Sequence, residues 1–209
     1  MAVKNIILDF GGVLLDLDYM RTQNIFINLG CKNFESIYSQ AQQTEIFNLF
    51  DKGKITETDF FSELQRLAQL EKINPNEIKA AWDAMLVGFP EENYLLLKEL
   101  KKKYRVFLLS NTNETHITAF EKLVEKTCPV KEFENLFEKV YYSCRIHLRK
   151  PDAACFLHVL NDSKLKLEET IFIDDSMQHI EGAKKVGITT HFLEKNVRTT
   201  SLLKSLNLY

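Results

Sequence analysis

Three acids in this chain stand directly behind apolar runs, where a buried strand gains nothing from charge. Asp9 follows "NIIL" and precedes Phe10-Gly11-Gly12, and Asp174-Asp175 follow "TIFI". A third apolar run, "VFLL", ends in Ser110-Asn111, and Arg149-Lys150-Pro151 places a lysine beside a proline at the start of another segment. Carboxylates packed within a few ångström raise one another's pKa, so three of them cannot all stay ionised unaided. A hard divalent cation resolves the conflict. Mg2+ suits one or two carboxylates, a carbonyl oxygen, waters and a substrate phosphate, so Asp9, Asp174 and Asp175 are candidate metal ligands. Lys150 adds a second positive charge, and a cation beside a lysine is a trap for a phosphate dianion. Asp9 could offer one oxygen to the metal and the other to phosphorus, because carboxylates do form aspartyl-phosphates. With no Cβ at Gly11 or Gly12, the turn after Asp9 is expected to aim its N–H groups at the anion as a nest.

These residues can share a ligand only if their strands lie side by side and point the same way. "NIILDF" (5–10), "YRVFLLSNT" (104–112), "KVYYSC" (139–144), "TIFIDDS" (170–176) and "TTHFL" (189–193) read as short strands. Helical segments over 90–103, 114–126, 152–163, 178–186 and 197–206 alternate with them from residue 90 onward. That rhythm predicts a parallel sheet with right-handed crossovers, whose ligands sit at the carboxyl ends of the strands. Residues 19–88 read as helical throughout, with no strand candidate. Within them Thr56 is a cap before Phe60, Phe61, Leu64 and Leu67, and Asn74 caps a helix that starts at Pro75. The expected fold is a doubly wound α/β core of residues 1–15 and 90–209, with an all-helical insert of residues 16–89 after the first strand.

Composition narrows the partners. The chain has 209 residues, 45% hydrophobic, with a formal net charge of −2, which offers no basic excess for nucleic acid or an anionic membrane surface. No run reaches the ~18 apolar residues of a membrane span. Cys31, Cys128, Cys144 and Cys155 form no CxxC pair or zinc-like spacing, so they are expected as small buried hydrophobes in a reducing, cytoplasmic setting. The expected partner is a small phosphorylated substrate, bound by a monomer or a homodimer.

In order and spacing, four segments resemble the motifs of the haloacid dehalogenase-like superfamily, whose members are mostly Mg2+-dependent phosphatases. They are "ILDFGGVLLDLD", "LLSNT", "RKPDAACF" and "FIDDSMQHIEGAKKVGI". The resemblance spans nearly the whole chain. It is closest to the branch containing a bacterial α-glucose-1-phosphate phosphatase and the N-terminal domain of soluble epoxide hydrolase. It implies a Rossmann-like core, with the insert acting as a C1-type cap. It implies Asp9 as nucleophile and Mg2+ ligand, the Gly11 carbonyl as a second ligand, and Asp175 and Asp174 as the others. Ser110 and the backbone of Asn111 would hold the phosphoryl group, Lys150 would bridge Asp9 and phosphate, and Pro151 would fix the lysine loop.

The chain departs from that pattern at three positions. Gly11 stands where the family carries a second Asp as general acid and base. His147 replaces a glycine three residues before the lysine, and His179 replaces an Asn four residues after the acidic pair. His tolerates positive φ better than most residues, so His147 is expected to keep the loop's shape. General acid–base help is typically worth ~10²–10⁴ in rate. Without it, turnover should depend on a good leaving group, such as a sugar 1-phosphate offers, or on a replacement acid among Asp16, Asp18, His147 and His179. Two other readings fit parts of the pattern: a metal-independent dehalogenase, which also lacks the second Asp, and a non-catalytic phosphate-binding protein. Trp82, Phe50, Phe60 and Phe61 are expected to form the insert's core rather than a sugar-stacking platform.

Overall fold

The computed structural model describes residues 2–38 and 45–209. Five parallel strands form the central sheet: β1 (Asn5–Leu8), β4 (Arg105–Ser110), β5 (Lys139–Tyr142), β6 (Thr170–Asp174) and β7 (Thr189–Phe192), in the order β5-β4-β1-β6-β7. The strands are apolar on both sides because both sheet faces are covered. Ile6 and Leu8, Val106 and Leu108, and Ile171 and Ile173 enter one cluster; Ile7, Phe107 and Phe172 enter the other. Helices α6 (Glu91–Lys103), α7 (Glu114–Val124) and α12 (Thr199–Ser205) pack on the first face through Leu96, Phe120 and Leu203. Helices α10 (Ala153–Asp162) and α11 (Met177–Val186) pack on the second through Phe156 and Ala183. Short α8 (Val130–Glu134) and α9 (Ser143–Ile146) flank β5; α9 converts the expected strand tip at Ser143 and Cys144 into a helical turn.

Between β1 and β4 lie α1 (Tyr19–Asn28), α2 (Phe34–Ile37), α3 (Glu45–Asp51), α4 (Glu57–Ala68) and α5 (Pro75–Asp83). They bury an apolar cluster of their own, in which Phe47, Phe50, Phe60 and Trp82 make mutual ring contacts. Thr56 closes a capping box with Asp59, and Asn74 caps α5 with Pro75 in its first turn. Residues 39–44 of the expected helical stretch lie outside the described residues.

The insert is not all-helical. β2 (Asp16–Leu17) and β3 (Leu86–Gly88) form an antiparallel ribbon where the chain leaves and re-enters the core. The helix expected to start at Pro75 therefore stops at Asp83, short of β3. Two- and three-residue strands carry no readable period, and their pairing joins positions some seventy residues apart, so only the folded chain brings them together.

Candidate active site

Five parallel strands put all their carboxyl ends on one edge, and the polar tips of β1, β4 and β6 meet there. Lys150 is the hub. Its side chain is fully buried, and Nζ lies 2.7 Å from Asp9 Oδ1 and 2.7 Å from Asp174 Oδ2. The Asn111 side chain clamps the lysine's backbone, accepting from Lys150 N at 2.9 Å and donating to Lys150 O at 2.8 Å. Asn111 thus holds the loop as well as lining the cavity, and the Lys150–Pro151 peptide that follows is cis. His147 takes φ 58°, the left-handed conformation expected of it, and its Nδ1 lies 2.8 Å from the Lys52 carbonyl at the end of α3.

Asp174 is held on all sides. Oδ1 accepts from Ser176 N at 2.7 Å, and His179 Nδ1 stands 3.0 Å from both carboxylate oxygens. Burial alone would raise the Asp174 pKa, but the Lys150 charge and the His179 hydrogen bond bring it below the usual range. Asp9 goes the other way. Burial and then the Asp174 charge push it up to about 6 despite Lys150. Burial, followed by Asp9 and Asp174, pushes Asp175 up to about 7. Burial disfavours the Lys150 ammonium, yet Asp174 and Asp9 outweigh it and hold the lysine at about 12. Three carboxylates against one lysine leave excess negative charge, the environment that favours a further cation. Asp9, Asp174 and His179 can each bring a ligand atom within 4.8 Å of the others, and the carboxylate oxygens suit a hard divalent ion.

The glycines act differently from one another. Gly12 donates its N–H to the Leu15 carbonyl at 2.8 Å, so that N–H does not serve an anion nest, and Gly12 does not line the cavity. It adopts φ +75°, and a Cβ there would stand 2.2 Å from Asp175 Oδ2. Its missing side chain makes room for the acid. Gly11 does line the cavity.

That cavity, of about 400 Å³, opens beside Asp9, Ser110, Asn111, Lys150 and Asp175 and runs to the insert. Of the four replacement acids weighed from the sequence, only His179 reaches it. Asp16 pairs with Arg198 at 3.2 Å, Asp18 caps α1 by accepting from Met20 N at 3.1 Å, and His147 holds Lys52. Trp82 is both insert core and cavity wall, whereas Phe50, Phe60 and Phe61 are core alone. The sequence reading missed Asp51, Asn113 and His116 on the far wall. A signal existed for two of them. Asp51 shares a helix face with Phe47, and His116 with Phe120, so each is a titratable group on an apolar stripe.

A Rossmann-like parallel sheet carries, at its carboxyl edge and beneath the insert, a site in which a buried lysine bridges two strand-tip carboxylates. Residues 3–187 match the haloacid dehalogenase-like hydrolase family, and the chain belongs to it. It is 32% identical over 194 residues to D-ribitol-5-phosphate phosphatase of Bacteroides thetaiotaomicron, with 90% of each chain covered. It is 28% identical to the sesquiterpene phosphatase astK of Aspergillus oryzae, covering 97% of this chain and 96% of that one. Among solved structures, a HAD family enzyme of B. thetaiotaomicron in complex with magnesium and inorganic phosphate superposes with a TM-score of 0.81 at 33% identity, covering 96% and 99% of the two chains. A dehalogenase superposes with a TM-score of 0.52 at 17% identity, which speaks to the fold alone.

Proposed function

We propose that this chain is a Mg2+-dependent phosphatase acting on a small phosphorylated metabolite, a sugar phosphate in the finer reading, through an aspartyl-phosphate on Asp9. The observation that carries it is Lys150, fully buried, with Nζ 2.7 Å from both Asp9 and Asp174 at the head of the cavity. The phosphatase relatives and the magnesium and phosphate complex of a neighbour support the same reading. Asp9, Asp174, Asp175 and the Gly11 carbonyl would hold the metal. Bound there, Mg2+ would neutralise the acids and draw charge from the phosphoryl oxygens.

Asp9 then attacks phosphorus with one carboxylate oxygen, forming the acyl phosphate as the P–O bond to the leaving group breaks. Lys150 keeps Asp9 oriented and stabilises charge on the phosphoryl group, and Ser110 supplies a hydroxyl at the same end. Water hydrolyses the acyl phosphate and returns Asp9. Residues 16–89 act as the cap that walls the cavity and excludes water during attack.

The test is a panel of phosphorylated metabolites with and without Mg2+, with Asp9→Asn as control. Phosphate release that needs both Mg2+ and Asp9 supports the reading. Metal-independent halide release would establish the dehalogenase, and tight ligand binding without turnover the non-catalytic protein.

A further inference from the structure

Lys150 is held in place from two sides, and only one of them is the core. Asn111 clamps its backbone from the end of β4. The residues around it, His147, Arg149 and Asp152, reach across to the insert and meet the C-terminal end of α3. His147 Nδ1, in the tautomer that carries its proton, donates to the Lys52 carbonyl at 2.8 Å. Arg149 Nη1 donates to Asn48 Oδ1 at 3.4 Å, and Nη2 lies 3.5 Å from Asp51 Oδ2. Lys52 Nζ donates to Asp152 Oδ2 at 3.1 Å. Asp51 Oδ1 also accepts from Asn113 Nδ2 at 3.3 Å, which ties the same helix end to the loop behind Ser110.

Local preference does not explain this placement. An acid at a helix C-terminus opposes the macrodipole, so Asp51 owes its position to tertiary partners. Its pair with Arg149 is shielded from water, the two side chains being only 14% and 16% exposed. The carbonyls at a helix end have no partner within the helix, and His147 supplies one. Gly53 lets the chains come this close, since a Cβ there would stand 2.3 Å from the Cys144 carbonyl oxygen. His147 does not line the cavity. A glycine at position 147 would keep the left-handed turn but could not reach Lys52.

We propose that His147 and Asp51 are positioning residues: through them the end of α3 braces the loop that aims Lys150 at Asp9 and Asp174. The lysine is then fully aligned only while the insert is seated on the core. The insert does more than exclude water, because its departure loosens the group that orients Asp9. The consequence for turnover rests on the phosphatase reading above; the brace itself does not.

The experiment uses the full chain with Mg2+ and two variants that each remove one support. His147→Gly keeps the positive φ and loses the bond to Lys52, and Asp51→Asn keeps the side chain's size and loses the charge facing Arg149. Each should lower kcat by about 10-fold or more, since an ångström of misplacement is worth up to about 100-fold. The factor should be alike for p-nitrophenyl phosphate and for alkyl phosphates. His147→Asn tolerates the left-handed conformation and offers an amide N–H near the place of Nδ1, so it should bring kcat back to within about threefold of the wild type. A loss that falls on KM alone and varies with the leaving group, or an unchanged kcat in folded variants, would overturn the brace. Hydrogen exchange reads the loop without turnover. The Lys150 amide bonds Asn111 Oδ1 and the Asp152 amide bonds the Arg149 carbonyl. Both should exchange at least about 10-fold faster in His147→Gly and Asp51→Asn, while the amides of β1 and β6 keep their protection. Unchanged exchange at both would equally overturn the brace. If no phosphate ester turns over, the phosphatase reading fails, and exchange alone decides the brace.

Discussion

Replacing Gly11 by Asp would install a carboxyl group at the position from which the family protonates its leaving group. The backbone accepts the change, since Gly11 is not among the glycines with positive φ. Space is tighter: a Cβ at Gly11 would stand 2.6 Å from Leu17 Cδ1, the far end of a flexible side chain on the β2 ribbon. Overpacking of this kind costs about 1–3 kcal/mol. In a chain of this size that is a fall in Tm of about 2–12 °C, tolerable if the enzyme is assayed at 25 °C. The catalytic gain should depend on the substrate. Alkyl phosphates, whose alkoxides leave poorly, should gain 10²-fold or more in kcat, the lower end of what general acid catalysis supplies. Nitrophenyl phosphates, whose leaving groups need no proton, should gain less than threefold. The assay is kcat across a series of aryl and alkyl phosphates, for the wild type, Gly11→Asp and Gly11→Asp with Leu17→Ala, which relieves the crowding. The wild type should show a steep dependence on leaving-group acidity and both variants a shallower one. A flat wild-type series would refute the reasoning, because some residue would already be donating the proton. His179 would be the first suspect, and His179→Asn should then make the series steep. A uniform gain across the series, or no gain in folded variants, would equally count against a proton-transfer role at position 11.

Lys150→Met should abolish turnover and, by leaving Asp9 and Asp174 buried without their counter-charge, destabilise the fold by about 3–5 kcal/mol in urea titration at pH 7. A loss below 1 kcal/mol would mean that the two carboxylates find solvent. Gly53→Ala should cost 2 kcal/mol or more, since Gly53 holds φ +60° and a Cβ would lie 2.3 Å from the Cys144 carbonyl oxygen, a backbone atom that cannot rotate aside. Differential scanning calorimetry would register this as a Tm lower by about 4–8 °C, and an unchanged Tm would show that the insert can shift off the core. In the metal-free protein Asp9 titrates near pH 6 and Asp175 near pH 7, and Mg2+ binds the ionised forms. Its affinity should therefore rise with pH between about 5 and 8, with protons released on binding. Titration calorimetry in two buffers of different ionisation enthalpy counts those protons, and none released at pH 6 would refute the expectation.

The amino-acid sequence by itself determined the parallel core and the strand tips that make the site. Each such strand is a short apolar run, and a polar residue directly behind it is conspicuous because burial there has no other use for it. Local chemistry was equally legible: Thr56 and Asn74 cap helices, and His147 takes the left-handed conformation at the loop carrying Lys150. Tertiary structure alone decided what those residues touch. It paired Asp16–Leu17 with Leu86–Gly88 and tied the Gly12 N–H to Leu15 while seating Asp175 against the Gly12 backbone. It made Asn111 the clamp of Lys150 and put Asp51, His116 and Trp82 on the wall of a common cavity. Periodicity records whether a side chain faces an apolar interior. Which distant atoms lie within three or four ångström of it depends on how the insert packs against the core, and no local pattern encodes that.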